Sequence, residues 1–149
     1  MITKVNFKKG DLIFRAGEPG NSMFEVVGKG HVGLFLDYGL PTEFMESSVT
    51  TDEFFGELAV LGVAIRRYTA KAMSDVTLNM IGSADFDEYA KQDAAKAYKI
   101  LTNASACLRD LTSDYKRACT TLAQYADAKE KGGDIPGELL NKMKNYAKR

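Results

Sequence analysis

Phe55-Gly56-Glu57-Leu58-Ala59-Val60-Leu61, followed by Arg66 and then by Thr69-Ala70-Lys71-Ala72, is the stretch on which the reading of this chain turns. Gly56 and Glu57 stand just before an apolar run of helical character. The start of a short helix leaves backbone N–H groups free, and such groups cradle anions. Glycine lets the backbone come close to a ligand. Glu57 is an acceptor for hydroxyls, and Arg66 is a permanent cation whose planar donor fork suits a phosphate. One loop thus supplies amides, a carboxylate and a guanidinium, a set fitted to a small ligand that carries both a phosphate and a sugar. The same residues also describe a β turn with a surface ion pair, and composition alone leaves both readings open.

The segments on either side read as short strands. Ile2, Val5 and Phe7 alternate thinly. Leu12–Phe14, Met23–Val27, His31–Leu36, Glu43–Val49, Tyr68–Met73 and Val76–Ile81 follow, separated by turns at Gly10-Asp11, Ala16–Asn21, Gly28-Lys29-Gly30 and Tyr38–Pro41. Short strands at regular spacing with glycine-rich turns predict an all-β sandwich or barrel. Phe24 and Phe35 are expected in its core, Tyr38 in a turn, and His31 at a surface or edge position, since one histidine makes no metal site.

After Ser83-Ala84-Asp85 the period changes. Ser83 is expected to cap a short helix whose Phe86 and Tyr89 pack back on the sheets. From Lys91 to Lys131 there is neither proline nor glycine, and apolar residues recur at Ala97, Leu101, Ala104, Leu108, Leu111, Tyr115, Ala118, Leu122 and Tyr125. Alternating steps of four and three are a heptad seam. A helix of about 40 residues would run ~60 Å and needs a partner for its stripe. A parallel two-helix dimer supplies one; a kinked helix folded back on the strands is the other solution. Past Gly132–Gly137, Leu139, Leu140, Met143 and Tyr146 make a second apolar stripe, expected to dock on the long helix because so short a segment does not stand alone.

The 149 residues suit one domain plus an appendage, with 45% hydrophobic residues for a core. Net charge is zero, but residues 1–90 hold 8 Lys/Arg against 13 Asp/Glu and residues 91–149 hold 12 against 7, which marks a boundary near residue 90. The expected parts are 1–90, a β-barrel; 91–131, the long helix; and 132–149, a glycine turn with a short helix. Cys107 and Cys119 match no zinc spacing and, on one helix, lie too far apart to bridge; free thiols in a reducing compartment are expected. No signal-like or membrane-spanning run is visible, so the expectation is a cytoplasmic protein. No nucleophile–base pair or metal constellation is visible, so an enzyme is not expected.

Three blocks carry a family resemblance: Phe7–Phe24, Val26–Val32, and Phe55–Leu61 with Arg66 and Thr69–Ala72. In that order and spacing the chain resembles the cyclic-nucleotide-binding domain of catabolite-activator-like regulators, cyclic-nucleotide-gated channels and regulatory subunits of cAMP-dependent kinase. The resemblance fades near Phe86. It implies a mainly β fold, a double-stranded β-helix (jelly-roll-like) barrel followed by a long C-terminal dimerisation helix. It implies cAMP or cGMP as ligand, with no metal. Gly56 and Glu57 would open the phosphate-binding cassette, Gly56 on the sugar side and Glu57 accepting the ribose 2'-hydroxyl. Arg66 would pair with the cyclic phosphate, amides near Ala59 and Arg67 would complete the anion hole, and Leu58, Val32 and Val49 would line the base side. The chain departs from the family at Ile65, where proline is frequent, and at Arg67 and Tyr68, where smaller residues are usual. A register one residue along makes Arg67 the phosphate ligand; Arg66 is preferred because it keeps Thr69–Ala72 at the usual distance.

The expected function is a non-enzymatic cyclic-nucleotide sensor or adaptor whose signal passes through a dimer helix to an unknown protein partner. The alternative is a degenerate domain of the same fold acting as an interaction scaffold without nucleotide. A DNA partner is not expected, because the roughly 18 residues from Gly132 onward cannot form a helix-turn-helix. Coupling is expected to run from Leu58 and Leu61 to Phe86, Tyr89 or Tyr98.

Overall fold

Among the described residues, eight strands form where apolar and polar residues alternate between turns: β1 (Thr3–Phe7), β2 (Leu12–Phe14), β3 (Ser22–Val27), β4 (Val32–Leu36), β5 (Phe44–Val49), β6 (Phe54–Phe55), β7 (Thr69–Ala72) and β8 (Val76–Gly82). A 3-10 turn, Glu57–Ala59, follows β6, and α1 (Phe86–Gln92) and α2 (Ala94–Glu130) come after β8, with residues 137–141 helical again beyond them. The structure is a computed structural model and describes residues 2–132 and 136–141.

The strands build two four-stranded antiparallel sheets, ordered β1-β8-β3-β6 and β2-β7-β4-β5. Each sheet keeps its own edges, and an isolated bridge pairs Pro19 with Ile65. The result is a jelly-roll-like sandwich, in line with the expected jelly-roll-like β fold, and its two sheets stay open at their edges. The period-2 rule places Phe24 and Val26 of β3, Val32 and Leu34 of β4, Ala70 and Ala72 of β7, and Val76 and Leu78 of β8 in one core, joined by Phe14, Val49 and Phe55. Phe24, as expected, is core. Phe35 is buried outside that cluster, edge-on to Tyr38 at 5.6 Å. His31 is exposed before β4.

The opposite face of β3 and β8 is covered too. Met23, Phe54 and Ile81 pack with Tyr89 of α1 and Ile100 of α2, and Val60 and Phe86 lie against them. Glu25 shares this outer face and is 1% exposed. Its carboxylate accepts hydrogen bonds from Lys96 Nζ at 2.5 Å and Asn79 Nδ2 at 2.9 Å. Burial pushes its pKa up, but those two bonds, the nearby Tyr89 hydroxyl and the charge of Lys96 together hold it below the usual carboxylate range. A buried ion pair therefore joins β3 to the first turn of α2.

The helices depart from the sequence reading in two ways. Asp85 rather than Ser83 precedes α1, and it makes no side-chain cap. Nor does one helix run on from Lys91. Asp93 is extended (φ −144°, ψ 100°), and its Oδ1 accepts the N–H groups of Ala95 and Lys96 at 3.0 and 3.1 Å. That is an N-cap, worth about 1 kcal/mol. It starts a fresh helix of 37 residues.

By packing, the chain divides into Met1–Ala104 and Ser105–Arg149. In the second unit Thr121 and Leu139 are buried. Met143 and Tyr146 lie outside the described residues. Along α2, Leu101, Leu108, Leu111, Tyr115 and Leu122 are exposed, while Ala104 of the same heptad pattern is buried. Cys107 is half-buried and Cys119 exposed, and neither is in a disulfide. No helix among the described residues is long and apolar enough to cross a membrane.

Removing Lys96 strands the Glu25 charge. Loss of one partner of a buried pair costs several kcal/mol. Lys96 is itself partly exposed, which reduces the expected loss to about 2 kcal/mol for Lys96→Met. A carboxylate with a depressed folded pKa stabilises above its unfolded value and loses that contribution as pH falls through the folded one. Without Lys96, Glu25 protonates at higher pH and escapes the penalty. Urea denaturation should therefore show the gap between wild type and Lys96→Met narrowing from pH 7 to pH 4; a gap of constant size would mean that Lys96 acts by packing alone.

Candidate functional site

Arg66 is held by its backbone before its side chain is considered. Its N–H donates to Glu18 O at 2.9 Å, and its carbonyl accepts from Gly17 N at 2.8 Å. Gly20 N, on the same loop, donates to Ala64 O at 2.7 Å. This clamp between residues 17–20 and 64–66 directs the side chain inward. The guanidinium lies over the Phe14 ring at 4.2 Å and near the Phe24 ring at 5.7 Å. Arg66 is 7% exposed. Nη1 donates to Gly56 O at 3.4 Å and Nη2 to Ser22 Oγ at 3.3 Å, both long, and Nε has no partner.

Two glycines make room for this cation. A Cβ at Gly20 would overlap the guanidinium, and one at Gly56 would stand 2.7 Å from Nη1. Gly56 also has φ 74°, the left-handed region that glycine enters without strain. The peptide therefore turns sharply from β6 into the 3-10 turn. Glu57, first in that turn, is 8% exposed, with Oε2 unpartnered. Burial raises its pKa, offset in part by a hydrogen bond from its own backbone. Burial also lowers that of Arg66, against the opposing influence of Tyr68 and Glu18. Among the described residues neither Glu57 nor Arg66 has an ion-pair partner, although each is an ionisable group in low dielectric. Such groups are costly when left alone and persist where something else is meant to meet them.

The remaining expected site residues divide. Leu58 and Ala59 are half-buried in the 3-10 turn, and the Ala59 N–H donates to Gly56 O at 3.1 Å. Val32 and Val49 are buried in the sheet core. Arg67 is not gathered beside Arg66. Its Nη2 pairs with Glu46 Oε1 of β5 at 2.7 Å, a partly buried bridge. Tyr68 turns its ring onto Phe14, centroids 5.7 Å apart, and its hydroxyl accepts the Gly56 N–H at 2.7 Å. Gly20, Ser22, Phe14 and Tyr68 thus join the site, though the sequence marked them only as turn, strand or departure from pattern. The route to the helices also differs from expectation. Val60 reaches the cluster with Phe86, Tyr89 and Ile100, whereas Leu61 is 38% and Tyr98 74% exposed. No group of metal-ligating side chains occurs among the described residues.

The jelly-roll-like sandwich thus gathers a buried arginine and a buried glutamate beside a left-handed glycine. The sequence pattern of the family described as the cyclic nucleotide-binding domain matches residues 4–93, and the chain belongs to that family. A candidate potassium channel protein from Rhodopseudomonas palustris is 32% identical over 93 residues, which are 62% of this chain and 22% of that protein. The chain spans less than a quarter of that relative. The N-terminal domain of a transcriptional regulator from Streptomyces coelicolor A3(2) is 26% identical with a TM-score of 0.56, covering 76% of this chain and 78% of that one. The catabolite activator protein of Thermus thermophilus is 21% identical with a TM-score of 0.66, covering 83% of this chain and 58% of that one, a likeness of fold.

The raised pKa of Glu57 has a stability consequence. An acid with an elevated folded pKa adds no penalty below its unfolded value near 4.5. Destabilisation grows as pH rises from there to the folded value and is constant beyond it. Glu57→Gln removes the buried charge and should raise the melting temperature at pH 7.5 by a few degrees, about 1 kcal/mol. At pH 4 the two proteins should melt together. Scanning calorimetry at both pH values tests this, and equal melting at pH 7.5 would mean that burial does not raise the folded pKa of Glu57.

Proposed function

We propose that the chain is a non-enzymatic, cytoplasmic cyclic-nucleotide sensor that takes cAMP or cGMP and passes the signal through a dimer helix. One observation carries the reading: Glu57 and Arg66 are both buried, both keep a polar atom without a partner, and both flank the left-handed Gly56. Glu57 accepts the ribose 2'-hydroxyl and Arg66 neutralises the cyclic phosphate, so each orphaned group finds its partner on the ligand. Two cysteines kept outside any disulfide suit a reducing compartment. The exposed leucines of α2 support a two-helix seam with a second copy. Movement of the 3-10 turn reaches the helices through Val60.

A degenerate scaffold has one observation in its favour, the Phe14, Phe24, Phe55 and Tyr68 rings packed on one another with the arginine laid over Phe14 and Phe24. Calorimetric titration with cAMP and with cGMP separates the two. Arg66→Ala should weaken binding by roughly 30-fold to several thousand-fold, the effect of about 2–5 kcal/mol. Lys71→Ala should leave it unchanged. Absence of heat with either nucleotide would favour the scaffold, and loss on Arg67→Ala in place of Arg66→Ala would shift the phosphate ligand by one residue.

For the assembly, Leu108→Asp should turn a dimer into a monomer in sedimentation at matched concentration, because it places a charge in an apolar seam. A monomeric wild type would remove the dimer helix from the account.

A further inference from the structure

We propose that Tyr68 sets the affinity of the site by holding, with its phenol oxygen, the Gly56 N–H that the sugar hydroxyl of a bound nucleotide needs. The inference rests on the cyclic-nucleotide reading and adds its regulation. A backbone N–H has one proton to give, and here Tyr68 Oη takes it at 2.7 Å. The tyrosine is not free to swing away without loss. Its ring packs on Phe14, the same ring over which the Arg66 guanidinium lies at 4.2 Å. Tyr68 is also close enough to Arg66 to act on it electrostatically. One aromatic side chain therefore supports both the cation for the phosphate and the hydroxyl at the sugar-side amide.

A phenol oxygen and a ribose hydroxyl oxygen are chemically alike towards an N–H donor. A ligand hydroxyl that enters beside Glu57 exchanges with the tyrosine instead of adding a hydrogen bond to those already present. Net affinity is lowered by the bond given up. A phenylalanine at 68 keeps the ring on Phe14 and leaves the Gly56 N–H for the ligand.

The test is a two-by-two titration of wild type and Tyr68→Phe with cAMP and with 2'-deoxy-cAMP, with Tyr38→Phe as a surface control. Tyr68→Phe should bind cAMP about five- to tenfold more tightly than wild type, the size of one net hydrogen bond. The two proteins should bind the deoxy ligand equally, because that ligand has no hydroxyl to place at the amide. Tyr38→Phe should match wild type with both. Equal or weaker cAMP binding by Tyr68→Phe overturns the proposal while leaving the nucleotide reading intact. A gain of the same size with both ligands also overturns it, since the effect would then lie outside the sugar. If no protein binds either ligand, the nucleotide reading fails and this inference falls with it.

Discussion

A guanidinium taken out of water is the constraint around which the first unit of this protein is arranged. Arg66 lies on Phe14 and Phe24 with long hydrogen bonds from its two terminal nitrogens and none from Nε. Water would satisfy such a group far better, and desolvating it is expensive. The fold compensates by leaving it no alternative. Backbone pairing to Glu18 and Gly17 fixes where the side chain enters, and the absence of side chains at Gly20 and Gly56 fixes where it ends. The aromatic bed returns part of the lost solvation through its negative faces. What stays unsatisfied is the Nε donor, which the surrounding rings cannot pair.

The same sheet that carries this site carries the link to the helices. β3 presents Phe24 towards Arg66 and, one residue on, Glu25 towards Lys96. The second contact is also a buried charge, but one that has its partner. The two sides of one strand thus border opposite solutions to the same problem: the outer charge has its counter-ion within the chain, while the inner one, among the described residues, has none. The 3-10 turn that carries Glu57 has three residues and is held by local backbone bonds, among them Ala59 N–H to Gly56 O and Val60 N–H to Glu57 O.

Local chemistry made most of the strand order legible. Alternation with glycine turns marked β2, β3, β4, β5, β7 and β8, because the period of two and the φ > 0 turns are written within a few residues. β6 escaped notice, since two residues have no period. The break at Asp93 escaped notice as well: neither glycine nor proline marks it, and an aspartate acts as a cap only once the chain has turned. Motif spacing drew attention to Gly56, Glu57 and Arg66. It was silent on Ser22 and on the use made of Tyr68, which depend on residues far away in sequence. Glu25 was invisible for a related reason. A charged residue in a strand reads as solvent-facing until a lysine more than seventy positions later covers it.

A strand with two obligatory faces also limits how the gene can vary. Side chains in β3 alternate, so one residue added or lost between Ser22 and Val27 would carry Glu25 into the aromatic bed beside Arg66 and Phe24 out against Lys96. Both buried charges would lose their settings in a single event. Substitution is graded, but a change of length here is all or none. Changes of length are better accommodated in the turn between β4 and β5, residues 37–43, where no residue has to face two ways at once.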